Sequence, residues 1–103
     1  MKIIQVLSDK IEEEIHDAKS YADMANRYKE DYPELSRTLY NLSLQETEHM
    51  NLLHNEVTEL IRKYRESKGD PPADMLAVYD YLHKRQIEKA LEVKTLQAMY
   101  KGS

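Results

Sequence analysis

The sequence predicts an all-α fold: an antiparallel helical hairpin followed by a third long helix. Three observations carry this. The 103 residues include only two Gly and three Pro, too little turn punctuation for a sandwich or barrel of many short strands. Breaking residues cluster at two places, Asp31-Tyr32-Pro33 and Ser67-Lys68-Gly69-Asp70-Pro71-Pro72, which leaves three uninterrupted stretches. In the first two stretches, apolar residues recur at alternating steps of four and three, the period of helices packed in a bundle. The length suits one domain, residues 1–103, and there is no internal repeat or domain-separating linker.

The first helix is expected over residues 3–30, with the seam Leu7, Ile11, Glu14, Ala18, Tyr21, Ala25 and Tyr28. Ser8 is an alternative N-cap that would start it later. The second is expected over 33–67. Pro33 suits its first turn and disfavours helix at Tyr32, and Gly69 is its stop. Its seam runs Leu35, Leu39, Leu42, Glu46, His49, Leu53, Val57, Leu60 and Tyr64. The one-turn connection makes the two helices an antiparallel hairpin.

The third helix is expected over 71–100, with Asp70 as its cap. Its apolar arc is broad: Leu76, Tyr79, Leu82, Ile87, Ala90 and Val93, with His83 and Gln86 on the inner side as satisfied core groups. His16 and His54 lie off the seams and are expected to be solvated. Met24, Met50, Met75 and Met99 read as core filler, and Tyr28 and Tyr64 as packing residues.

Composition narrows the function classes. All eight aromatic residues are Tyr, so the core must be aliphatic, and each buried ring brings a hydroxyl that needs a partner. Cysteine is absent, which removes disulfides, thiolate metal sites and Cys nucleophiles together. Net charge is −4 with dispersed acidic residues, giving no support to a nucleic-acid or anionic-membrane partner. No apolar run approaches a membrane span, and the N-terminus is too short and polar for a signal peptide, so the expected compartment is the cytoplasm.

Both hairpin seams carry the wrong residue type at their middle. Glu46 falls among Leu35, Leu39, Leu53, Val57 and Tyr64, and Glu14 among Leu7, Ile11, Ala18, Tyr21 and Ala25, whereas Glu12 and Glu48 point away to solvent. An isolated buried carboxylate costs several kcal/mol, so burial implies a proton, a cation or a metal ion as partner. His49 follows Glu46 by three residues, about 60° around the helix and about 4.5 Å along it, so both can reach one ion. An E-x-x-H is weak alone; here its two ends occupy consecutive seam positions. Pairing Glu14 with Glu46 and His49 puts the hairpin midpoint near residues 30–32, where the first break lies. Tyr21, two turns from Glu14 on the same face, is a candidate hydrogen-bond partner behind the ligands.

Carboxylates plus imidazole suit iron or manganese, and zinc is compatible. Di-iron bundles take one Glu from each of two helices and Glu-x-x-His from each of two others; this hairpin holds half of that set. Glu88 and Glu92 fall opposite the third helix's apolar arc, with Lys84, Arg85 and Thr95, and are poor candidates to complete it. The expectation is therefore a two-fold homodimer, a four-helix bundle completed by dimerisation, with the metals at its interface.

The residues Glu14-x6-Tyr21, then Pro33-Glu34-Leu35, then Gln45-Glu46-Thr47-Glu48-His49-Met50 resemble the ferritin-like superfamily, and most closely the half-length encapsulated ferritins, over roughly residues 10–65. The resemblance implies a di-iron centre, two ions per dimer, that oxidises Fe(II) with O2 for iron handling or storage. Glu14, Glu46 and His49 from both chains would be its ligands, with Tyr21 outside them and acidic residues nearby assisting metal uptake. It also implies an encapsulin shell as partner. Of the uptake residues only Glu13 matches; His16 stands where another acid is expected, and Ser20 replaces an aromatic beside the tyrosine. The ending Tyr100-Lys101-Gly102-Ser103 has no recognisable shell-targeting tail.

Two other readings stay open. The same site fits a rubrerythrin-like or manganese catalase-like peroxide chemistry, without a built-in rubredoxin-type donor because Cys is absent. Alternatively, the three polar groups form a metal-free network that fixes dimer register in a helical interaction module. Arg or Lys on the facing seams would favour that network, and the seam positions offer none.

Overall fold

Helix-compatible stretches punctuated at two points give three helices in the computed structural model, which describes residues 2–102: α1 (Lys2–Arg27), α2 (Pro33–Lys68) and α3 (Ala73–Gly102). The described residues contain no strand. α1 begins at Lys2, so Ser8 lies inside the helix, buried, and does not cap it. It ends at Arg27, three residues earlier than expected. Pro33 forces Tyr32 out of helical geometry (φ −137°, ψ 69°), and residues 28–31 form the turn that leads into it. Gly69 closes α2 at φ 81°, its N–H bonded to the Arg65 carbonyl at 3.1 Å. α3 starts two residues late, and Asp70 is not its cap. Asp70 and Pro71 each precede a proline and are biased towards extended geometry. Asp70 instead lies 3.4 Å from Arg65 Nε.

The hairpin register is set by small residues. Ser43 Oγ donates to the Ala18 carbonyl at 2.7 Å, and seven residues back along α2, Ser36 Oγ donates to the Ala25 carbonyl. Both serines are fully buried, and Ala18, Ala22 and Ala25 are no more than 1% exposed. The absence of bulk lets the two backbones approach at the hairpin end. The same seven-residue step, carried the other way, puts Met50 level with Ile11 and Val57 level with Ile4, all in one core with Ile15, Ala18 and Val93. Burying one such Val or Ile contributes about 1.5–3 kcal/mol.

α3 runs parallel to α1 and packs mainly against it. Gln86 Nε2 donates to Ser8 Oγ at 3.1 Å, Lys19 pairs with Glu92 at 2.9 Å, and Asn26 Nδ2 donates to the Leu96 carbonyl at 2.8 Å. The buried Gln86 is thus satisfied as expected, and Glu92 is turned outward. α3 touches α2 through the Tyr40–Tyr100 stack, through Gln97, and through the stacked rings of His54 and His83. A groove of about 320 Å³ remains between α2 and α3, floored by Ile11 and Val93.

This third contact changes several expectations. α1 buries a broader face than its single seam, adding Ile4, Ser8, Ile15 and Ala22, because α3 covers its other flank. α3 has no single apolar face: Ile87 is exposed, while Gln86 and Gln97 are buried. Met99 is exposed and is no core filler, whereas Met50 packs on the core. His54 is half-buried under His83, not solvated. Leu35 is 49% exposed, and Leu42, Leu53, Leu60 and Tyr64 are only half-buried, so much of the α2 seam lies along the edge of the bundle. Among the described residues no helix is long and apolar enough to cross a membrane.

Candidate metal centre

Glu14 lies one turn before Ala18, and Glu46 one turn after Ser43. The Ser43–Ala18 bond therefore holds the two carboxylates level across the hairpin. His49 is the next seam residue on α2. The structure brings all three together: one ligand atom from each of Glu14, Glu46 and His49 lies within 4.8 Å of the others. His49 Nδ1 is 3.6 Å from Glu14 Oε2 and 3.9 Å from Glu46 Oε2. These separations exceed a hydrogen bond. Donors around one ion with bonds of about 2.1 Å sit about 3.0–3.5 Å apart, so a small side-chain adjustment closes the set on a cation.

Burial is graded across the group. The Glu14 side chain is 11% exposed, Glu46 19% and His49 54%. Glu46 Oε2 is buried and has no hydrogen-bond partner among the described residues. A carboxylate oxygen out of water without a donor is an unpaid desolvation cost, which an ion would offset. The site faces the same side of the hairpin as the half-buried stripe Leu42, Leu53 and Leu60.

Tyr21 is half-buried two turns along α1, about 10.5 Å from Glu14 along the axis, and has no hydrogen bond to the three ligands. Glu13 is exposed and lines an open acidic depression with Asp9, Glu12, His16, Asp17 and Lys89. Glu88 and Glu92 take no part in the group.

Lys10 is a neighbour of the centre that the apolar seams do not reveal. It stands off the α1 seam, yet its Nζ reaches Glu14 Oε1 at 3.6 Å and Glu13 Oε2 at 3.2 Å. The hydrogen bond and charge of Glu13, then the charge of Glu14, raise the Lys10 pKa. The signal was legible in the four-residue spacing from Lys10 to Glu14, which puts the two side chains about 40° apart, one turn above the other, at the edge of the seam.

The second unforeseen cluster is His54–His83, with ring centroids 4.6 Å apart and planes 17° apart, and Tyr79 stacked on His83. Burial, then the charge of His83, lowers the His54 pKa. Because the rings are nearly parallel, their in-plane lone pairs do not converge, which makes this a packing contact and no metal site.

No family model matches the chain, and neither a curated protein nor a solved structure does. What the site can do rests on its own chemistry: three donors of mixed oxygen and nitrogen type, convergent, partly desolvated and open on one side.

Proposed function

We propose that the chain is one half of a ferritin-like iron-oxidising protein whose working unit is a two-fold pair of copies. The observation that carries this reading is the convergence of Glu14, Glu46 and His49 around the unpartnered buried Oε2 of Glu46. The donor set fits iron or manganese, with zinc also compatible. Three ligands per chain leave each ion under-coordinated, and a second copy facing the same stripe brings the set to four carboxylates and two imidazoles for two ions.

Iron(II) is the substrate in this reading and O2 the electron acceptor. The chain's own residues supply the bias and the order. Glu14 and Glu46 place negative charge in a poorly hydrated setting, which favours the more highly charged iron(III). His49 offers a ring nitrogen and, being the most exposed ligand, forms the mouth of the site. Tyr21 and Glu13 are assigned to the surroundings of the paired site, Tyr21 as a half-buried hydroxyl two turns from Glu14 and Glu13 as an acidic group on the uptake side. The half-buried Leu42, Leu53 and Leu60 with exposed Leu35 give the second copy an apolar stripe to cover, flanked by exposed Leu52 one turn beyond His49. A cytoplasmic location is the expectation from a chain without a membrane-length apolar run, and an encapsulin shell partner rests on the sequence resemblance.

Anaerobic Fe(II) titration tests the reading. Saturation near two irons per pair, abolished by Glu46→Ala, supports it; no binding, or binding unchanged in Glu46→Ala, sinks it. Admitting O2 or H2O2 to the loaded protein in stopped-flow absorbance then separates iron oxidation from a peroxide-consuming chemistry. One observation favours a metal-free interaction module instead: Lys10 and His49 already face Glu14. That reading requires chelators to leave thermal stability and oligomeric state unchanged.

A further inference from the structure

The two oxygens of Glu14 face different partners. Oε2 looks across the hairpin at His49 Nδ1, while Oε1 has the Lys10 ammonium at 3.6 Å. The same ammonium donates to Glu13 at 3.2 Å, so one cation spans the buried carboxylate of the centre and the exposed carboxylate beside it. Glu14 is nearly out of water, so Lys10 is the positive charge that offsets it when no ion is present. Lys10 itself is 54% exposed on a flexible stem, so its ammonium can swing into solvent at little cost.

A divalent ion arriving at the centre meets that arrangement from the other side. It must either share Glu14 with a like charge a few ångström away or drive the ammonium off. Glu14 Oε1 has the Lys10 ammonium 3.6 Å away, so a divalent ion held by Glu14 would share the carboxylate with that charge unless Lys10 moved off.

We propose that Lys10 is a displaceable latch on Glu14, competing with divalent metal for Oε1 and limiting Glu14 to one donor oxygen until the ion expels the ammonium. This rests on the metal-binding reading of the centre. The latch sets the affinity of the site and keeps Glu14 compensated between loadings. It also couples full engagement of Glu14 to the release of Lys10 towards Glu13.

The test is anaerobic calorimetric titration of the full chain with Fe(II), comparing wild type, Glu46→Ala, Lys10→Gln and Lys10→Arg. Removing one positive charge about 5 Å from a divalent ion is expected to tighten binding about tenfold in Lys10→Gln, with unchanged stoichiometry. Lys10→Arg keeps the charge and binds like wild type. Gln and Arg are both good helix formers at this exposed position, so the fold is retained. Equal or weaker affinity in Lys10→Gln, against Glu46-dependent binding in wild type, overturns the latch and leaves the centre standing. Equally tightened binding in Lys10→Arg overturns it too, because charge is then not what competes. Absence of binding in wild type, Lys10→Gln and Lys10→Arg alike overturns the centre itself, and the latch with it.

Discussion

Ser43 donates its hydroxyl to the backbone carbonyl of Ala18 at 2.7 Å, and this single contact lies one helical turn from both Glu14 and Glu46. The Ala18 carbonyl already serves its own helix, so the serine uses its second lone pair. Ser43 Oγ in turn accepts from Gln97 Nε2 at 2.9 Å, which ties α3 to the same point. The register of the candidate centre is thus held by a buried polar relay across three helices. Ser43→Ala removes the bond and leaves Gln97 with Thr47 alone, at 3.1 Å. It is expected to cost about 1–2 kcal/mol, read as a shift in the urea midpoint.

Glu46 should behave oppositely with and without metal. Its buried Oε2 lacks a partner, so Glu46→Gln is expected to stabilise the metal-free chain by about 1 kcal/mol. The same change should erase stabilisation by added ion, which in wild type amounts to about 2.7 kcal/mol at a hundredfold excess over Kd. Thermal unfolding of both proteins with and without Mn(II) reads the crossing; a variant less stable than wild type under both conditions would refute it.

His49 is more than half exposed and packs little. His49→Ala is therefore expected to leave metal-free stability within about 0.5 kcal/mol while weakening ion binding at least tenfold, as the loss of one donor in three. Equilibrium dialysis beside circular dichroism measures the two separately.

Pairing of two copies is tested at Leu52, which is 60% exposed and one turn beyond His49. Leu52→Arg should leave the monomer fold intact, shift sedimentation towards the monomer, and lower bound iron in step with the lost pair. Unchanged sedimentation of an assembled wild type and variant would place the interface elsewhere.

The His54–His83 stack makes acid destabilising. Burial and then His83 hold the His54 pKa below its usual 6.5. The unfolded chain therefore takes up that proton at higher pH than the folded one. Stability from the neutral ring is fully present above 6.5 and is lost as pH falls through the lowered value. The other charged groups lining the adjoining grooves are Arg62, Arg65, Glu66 and Asp80 on one side and Lys94 on the other. His54→Gln should flatten the fall in urea midpoint over that window; an unchanged slope would assign it to other groups.

Local chain chemistry determined much of this protein. Scarce Gly and Pro, with Pro33 and Gly69 at the breaks, set three helices, because backbone geometry at those residues depends on immediate neighbours alone. The steps of four and three, read against the position of the turn, brought Glu14, Glu46 and His49 to one height. A hairpin with a short turn has only one antiparallel register compatible with its seams. Tertiary packing decided what no single helix contains. α3 settled against α1 and opened a groove towards α2. It buried Gln86, Gln97 and half of His54, and left Ile87 and Met99 outside, because its own apolar residues are spread around the helix. Packing also left the α2 seam half-exposed and the Glu46 oxygen without a donor. It gave Lys10 its place beside a carboxylate that the fold, and not its sequence neighbours, had taken out of water.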